Sequence, residues 1–324
     1  MDLMFWSSDR SFLEIVGVAG LCIFFLKIFY LGLKFSYEHL IAPIIGLTVN
    51  FQKAGKWAVI TGATHGVGRE YAEQLAAKGL NIVLISRSRA RLEDTSNGIR
   101  TKYKVETKII EVDFYDENPE LTDKIVRELS DLDVGVLVNN VGLHNPYPDY
   151  FLNFDQNNPL YENMIKLNVT PLVYLCRAIM PGMKKRRRGI VINISSAEAV
   201  ISSPLLAVYG ATKAFIEKFS NELTIEHKND GIIVQCVIPY SIATESLSNR
   251  NSWMVPSPKV YVHSALKTTG IQSLTTGYLP HTIFVNIVQY LDSICHPLIS
   301  LLRLMTLLRK RANFLKGNSK TSTV

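Results

Sequence analysis

Short apolar runs alternate with segments in which apolar residues recur every three or four positions, from Lys56 to about Pro239. The runs WAVIT (57–61), NIVLIS (81–86), TKIIEV (107–112), VGVLVNN (134–140), GIVINIS (189–195) and GIIVQCVI (231–238) read as strands. They are almost continuously apolar, which predicts strands covered on both faces. Helical patterns such as REYAEQLAAKG and PLVYLCRAIMPGM lie between them. The spacing therefore predicts an α/β fold, a Rossmann-like doubly wound parallel sheet with helices on both faces. No repeat or long linker interrupts the pattern, so residues 51–280 are expected to form one domain.

Both ends differ from this middle. Residues 12–33 are apolar apart from Glu14 and Lys27, and their length corresponds to roughly 33 Å of helix, enough for a bilayer core. Lys27 can snorkel to the headgroups. A cleaved signal peptide would carry a basic start and a small-residue cleavage site, and a mitochondrial presequence would lack Asp2, Asp9 and Glu14. Residues 1–50 are therefore expected to be an uncleaved transmembrane anchor and linker. Arg10 precedes the span while Lys34, Lys53 and Lys56 follow it, which predicts that the main domain is cytoplasmic. Residues 281–324 mix apolar positions with Asp292, His296 and Arg303. They predict amphipathic helices lying on a membrane or on the domain surface, followed by a disordered tail, GNSKTSTV.

The chain has 324 residues, 47% hydrophobic against 19% charged, enough for a large core. Its net charge of +7 brings nucleic acid into consideration. The densest basic run, Lys184 to Arg188, lies between a helix and a strand with no nucleic-acid motif beside it. It is expected to be a solvated turn, with anionic lipid or a phosphorylated substrate as the other readings. Cys22, Cys176, Cys236 and Cys295 show neither metal-ligand nor disulfide spacing, consistent with the reducing cytosol.

Directly after the first strand comes TGATHGVGRE, with Gly62, Gly66 and Gly68 and then a helix. Such glycines allow a tight turn, close approach of a pyrophosphate, and close packing of helix on strand, with phosphates on the helix N-terminus. Thr64, His65 and Val67 belong to the same loop. The second strand ends in Ser86 and Arg87, where NAD binders usually place an acid. A guanidinium there can fork onto a 2′-phosphate, so NADP(H) is favoured over NAD(H). Arg89 and Arg91 follow closely as candidates for an exposed first helical turn. Asp113 is a candidate adenine contact, and Asn139, Asn140 and Gly142 candidates for the cofactor edge.

Tyr209 and Lys213 are four positions apart in a helical pattern, VYGATKAFIEKF, and so share a face. A nearby ammonium favours phenolate and is expected to lower the tyrosine pKa. Ser196, at the end of the fifth strand, can bond the substrate oxygen that Tyr209 protonates. Asn168 is an asparagine within a predicted helix, where its carbonyl or a water can steady Lys213. Residues 240–280, with Trp253, Met254, Tyr261 and Tyr278, are expected to cover the substrate.

TGATHGVG, NNVG, NISS and YGATK, in this order and spacing, resemble the short-chain dehydrogenase/reductase family across about residues 55–245. The anchor, the YPDYF stretch and VIPYSIAT narrow the resemblance to the membrane-bound branch of very-long-chain 3-oxoacyl-CoA reductases and 17β-hydroxysteroid dehydrogenases. SWMVPSPKVY is similar to a hydroxysteroid dehydrogenase-like group whose vertebrate members carry phenylalanine in place of the tyrosine; Tyr209 is present here. The resemblance implies Asn168, Ser196, Tyr209 and Lys213 as the catalytic tetrad, Tyr209 and Lys213 also touching the cofactor, and Pro239 to Thr244 beside the nicotinamide. It implies an NADP(H)-dependent oxidoreductase acting on a lipophilic ketone or alcohol, either a 3-oxoacyl-CoA or a 17-ketosteroid. The alternative is a silent cofactor-binding scaffold. Membrane lipid is an expected partner, nucleic acid and metal are not, and a homodimer remains open.

Overall fold

The computed structural model describes residues 2–42, 45, 47–116, 120–155, 157–243 and 252–321. The chain divides into two units, Met1–Thr48 and Val49–Val324. In the first, helix α1 spans Asp2–Ser36 and runs into a π-helical turn, Tyr37–Ile41. Its segment Phe12–Ser36 is 25 residues long, apolar and unburied, sufficient by length and composition to cross a membrane.

In the second unit the apolar runs become strands β1 (Trp57–Thr61), β2 (Asn81–Ser86), β3 (Thr107–Glu111), β4 (Val134–Asn139), β5 (Gly189–Ile194) and β6 (Ile232–Val237). A two-residue β7, Leu274–Thr275, completes the sheet. All pairings are parallel and the order is β3-β2-β1-β4-β5-β6-β7. Strand order reverses between β1 and β4, and the carboxyl ends there open the crevice in which this architecture binds ligands.

Helices cover both faces, as near-continuous apolar strands require. Helices α2 (Gly66–Ala77), α3 (Arg89–Tyr103) and, later in the chain, Pro258–Leu266 pack on one face through Tyr71, Leu75, Leu92 and Val262. Helices α4 (Glu120–Leu129), α5 (Leu160–Arg186) and α6 (Ala207–Glu226) cover the other through Ile125, Ile179, Met183 and Phe219. The Pro258–Leu266 helix is α7; α8 (Leu279–Ile294) and α9 (His296–Thr321) follow.

Four expectations change. Residues 317–321, expected to be disordered, continue α9. The basic run is largely exposed, as expected, but begins in helix rather than turn: Lys184 to Arg186 close α5, with Lys184 on Asp230 (3.0 Å) and Arg186 and Arg188 both on Asp133 (2.9 and 3.1 Å). Tyr261 covers no substrate; it is fully buried in the core and donates to the Thr276 carbonyl at 2.7 Å. Asn139 faces the interior rather than the cofactor edge, donating to Asn193 at 2.9 Å, which in turn donates to Ser220 at 2.9 Å. This buried ladder satisfies the Asn139 and Asn193 side-chain N–H groups, while Asn139 Oδ1 is left without a partner.

Candidate active site

The turn between β1 and α2 is built for close approach. Gly62 and Gly66 have φ of +62° and +55°, conformations that residues with a Cβ rarely adopt. A Cβ on Gly68 would collide with the Gly62 carbonyl, so helix and strand meet here at backbone distance. Asn140 locks the turn: its side-chain amide donates to Thr61 O at 3.0 Å and Gly62 O at 3.3 Å. The Thr61 hydroxyl accepts the backbone N–H groups of Asn140 and Val141 at 2.9 and 3.0 Å. Thr61 carried no signal beyond ending a strand, and its role was not anticipated.

A cleft of about 180 Å³ opens beside this turn, with Gly62, His65, Ser86, Arg87, Asp113 and Gly142 in its wall. Thr64 reaches Ser86 at 3.4 Å across its floor, and Val67 packs into the core beneath. The tight turn, the open N-terminus of α2 and the exposed Arg87 together fit a phosphate-bearing dinucleotide. Arg89 is already paired with Glu93 at 2.7 Å, whereas no ion pair engages Arg87 among the described residues. Asp113 accepts the Tyr115 N–H at 3.0 Å, which fixes the loop after β3.

At the far end of the cleft the four tetrad candidates converge. Asn168 is buried in α5; its Oδ1 accepts the Leu143 N–H at 2.6 Å, and its Nδ2 donates to Leu143 O and Thr212 Oγ1, both at 2.9 Å. It therefore pins the loop after β4 to the helix that carries Lys213. A methyl on Gly142 would lie 3.2 Å from Asn168 Oδ1 and 3.4 Å from Lys213 Nζ, so all three meet at one point. The Lys213 ammonium donates to the Ile194 carbonyl at 3.1 Å, rather than to Asn168. Ser195 donates to the Lys213 carbonyl at 2.7 Å, which ties the end of β5 to α6.

Tyr209 is half-buried, with its ring 5.8 Å below Lys213 Nζ and 6.5 Å from the His144 ring. The Ser196 hydroxyl is the neighbouring group that favours the ionised form of its phenol. Ser196 also accepts the Glu198 N–H at 3.3 Å and caps the short helix Ala197–Ala199. The expected lowering of the tyrosine pKa is reversed by the protein's own groups. Burial pushes the phenol up to about 12, the Ser196 hydroxyl opposes this, and the Glu198 carboxylate adds to it. Desolvation of the phenolate is the largest of the three effects. The same burial depresses Lys213 to about 8. At neutral pH the pair is thus a neutral phenol beside an ammonium, which is the state a proton donor requires. Pro239 sits buried after β6 with its carbonyl accepting the Ala197 N–H at 2.8 Å; Thr244 lies outside the described residues.

Residues 56–255 match the family model described as short chain dehydrogenase. Very-long-chain 3-oxoacyl-CoA reductase of Bos taurus is 45% identical over 240 residues, 74% of this chain and 76% of that protein. The Homo sapiens reductase of the same name is 39% identical over 298 residues, 90% and 93% of the two chains. Among solved structures, a 7β-hydroxysteroid dehydrogenase superposes with a TM-score of 0.69 at 26% identity, covering 79% of this chain and 99% of that one. A short-chain dehydrogenase from Sphingobium yanoikuyae in complex with NADPH gives 0.64 at 28%, covering 75% and 94%.

Proposed function

Because this chain belongs to the short-chain dehydrogenase family, we propose that it is an NADPH-dependent reductase of the 3-oxo group in long-chain acyl-CoA thioesters. The observation that carries the reading is the meeting of Asn168 and Lys213 at Gly142 in the cleft wall, with the Tyr209 ring 5.8 Å from the Lys213 ammonium. Relatives named for very-long-chain 3-oxoacyl-CoA at 39–45% identity support the substrate class. The unpaired Arg87 beside Ser86 favours the 2′-phosphate of NADP(H) over a ribose hydroxyl.

When bound, the reduced nicotinamide supplies a hydride to the ketone carbon. Tyr209 donates its proton to the ketone oxygen as the carbon is reduced, and the carbonyl becomes an alcohol. Ser196 holds that oxygen through its hydroxyl. The Lys213 ammonium, 5.8 Å from the Tyr209 ring, stabilises the phenolate left behind. Asn168 keeps the Leu143 loop in contact with this pair.

A lipophilic substrate is matched by a membrane setting. We assign the anchor to the endoplasmic reticulum, with the catalytic unit cytoplasmic, because Lys34 and the basic residues after it follow the span. Helices α8 and α9 add a second contact. The outward face of α8 carries Leu279, Ile283, Ile287, Tyr290, Leu291 and Ile294, all exposed. Leu298, Leu301, Leu302 and Met305 continue this apolar surface on α9, which has no acidic residue and exposes Arg309 and Lys310. An apolar stripe flanked by cations fits an anionic lipid surface.

NADPH consumption by the purified full chain, measured over 3-oxoacyl-CoAs of increasing length and a 17-ketosteroid, tests the reading. The expected result is turnover that rises with acyl length. Turnover of the steroid alone would replace the acyl assignment, and turnover of neither would remove it.

A further inference from the structure

The loop joining Ser196 to Tyr209 is held from outside by two arginines of α9. Arg303, only 6% exposed, donates through Nη2 to Glu198 Oε2 at 2.7 Å and through Nε to the Ser202 carbonyl at 3.0 Å. The Glu198 carboxylate also accepts from the Ser203 hydroxyl. Two turns further along α9, Arg311 forks onto Asp149 with contacts of 2.8 and 3.3 Å. The Asp149 N–H donates to the Leu205 carbonyl at 3.1 Å. Leu205 has a φ of +66°, a conformation that a branched side chain holds only when its surroundings enforce it. Leu307, fully buried between the two arginines, seats the helix.

A buried ion pair is a poor way to gain stability, since apolar residues of similar size do as well or better. Its value here is positional. Glu198 donates its N–H to Ser196 and sets its carboxylate near the phenol. Among the described residues, the charged and titratable groups around Tyr209 are Lys213 on its own helix, His144 from the loop after β4, and Glu198 from the turn after β5, with Arg303 behind it. Without the arginine, the carboxylate would oppose formation of the phenolate more strongly.

We propose that Arg303 is a positioning residue for proton transfer: by bonding Glu198 and Ser202 at once, it keeps Ser196 in register with Tyr209 and offsets part of the negative charge beside the phenol. The inference rests on Tyr209 as the proton-exchanging group. It makes the C-terminal helix part of the active site at a distance of 105 residues in sequence.

The test is oxidation of the alcohol product with NADP⁺ by the full-length enzyme across pH, because that direction requires the phenolate. Arg303→Gln is expected to move the rising limb of kcat alkaline by about half a unit or more. It should lower kcat about tenfold with the KM for NADP⁺ little changed. Arg303→Lys keeps the charge and restores most of the rate. The double variant Glu198→Gln/Arg303→Gln removes the uncompensated carboxylate, tolerates the loss of the arginine better, and returns the limb to its wild-type position or below. A slower Arg303→Gln enzyme with an unmoved limb would reduce Arg303 to a structural role, as would a double variant that fails to return it. Wild-type turnover that does not depend on Tyr209 would overturn the proton-donor reading first, and this inference with it.

Discussion

Lys213 keeps an ammonium in a buried site with the Ile194 carbonyl as its hydrogen-bond acceptor. The cost appears as a pKa depressed from 10.5 to about 8 by burial. Between those values the unfolded chain binds more protons than the folded one, so this residue makes stability rise with pH across that window. Below about pH 8 the folded state carries the full penalty, on the order of 3 kcal/mol. Lys213→Met should therefore unfold later in urea at neutral pH than wild type, with the difference vanishing towards pH 10.5, while activity is lost. Equal midpoints at neutral pH would mean that the ammonium is solvated. Arg87 tests the other end of the cleft. Arg87→Glu should raise the KM for NADPH by tenfold or more and leave that for NADH nearly unchanged; equal losses would remove the phosphate contact. Tyr209 and Lys213 were legible because one helix face carries both. The direction of the phenol shift was not, because it depends on burial that no local pattern encodes.

Elements with a strong local signal were read correctly: each of β1 to β6 was recognised within a residue at either end. Strand β7 was missed because two residues carry no periodicity, and it exists only through register with Cys236 and Val237. Helices α8 and α9 were visible as an interrupted apolar stretch, but their inner and outer faces were not. Ile299, Arg303 and Leu307 point inward at intervals of four, which leaves the apolar stripe outside. Cys295, exposed at the junction of the two helices, is a natural reporter of that stripe, since Cys176 and Cys236 are buried. In a Cys22→Ser background, a fluorophore on Cys295 should be quenched by brominated lipid in anionic vesicles. Accessibility to aqueous iodide without lipid quenching would contradict the membrane contact, and cross-linking of two Cys295 residues would replace lipid with a second copy.

Across the whole molecule, the parts that follow from short motifs are the sheet, the glycine turn and the tetrad. The parts that do not are contacts between distant segments: Thr61 under Asn140, Asn168 on Leu143 and Thr212, and the arginines of α9 on Glu198 and Asp149. Nothing in the residues around Glu198 announces a partner so far along the chain. These contacts make one assembly of the cleft beside the glycine turn, Tyr209 and α9. Its central claim is that the Tyr209 phenol delivers the proton to a reduced ketone. The most direct measurement is single-turnover reduction of a long-chain 3-oxoacyl-CoA by enzyme preloaded with NADPH, comparing wild type with Tyr209→Phe. The account predicts unchanged NADPH affinity and a reduction rate lower by about 10²-fold or more. A phenylalanine variant that reduces the substrate at the wild-type rate would contradict it.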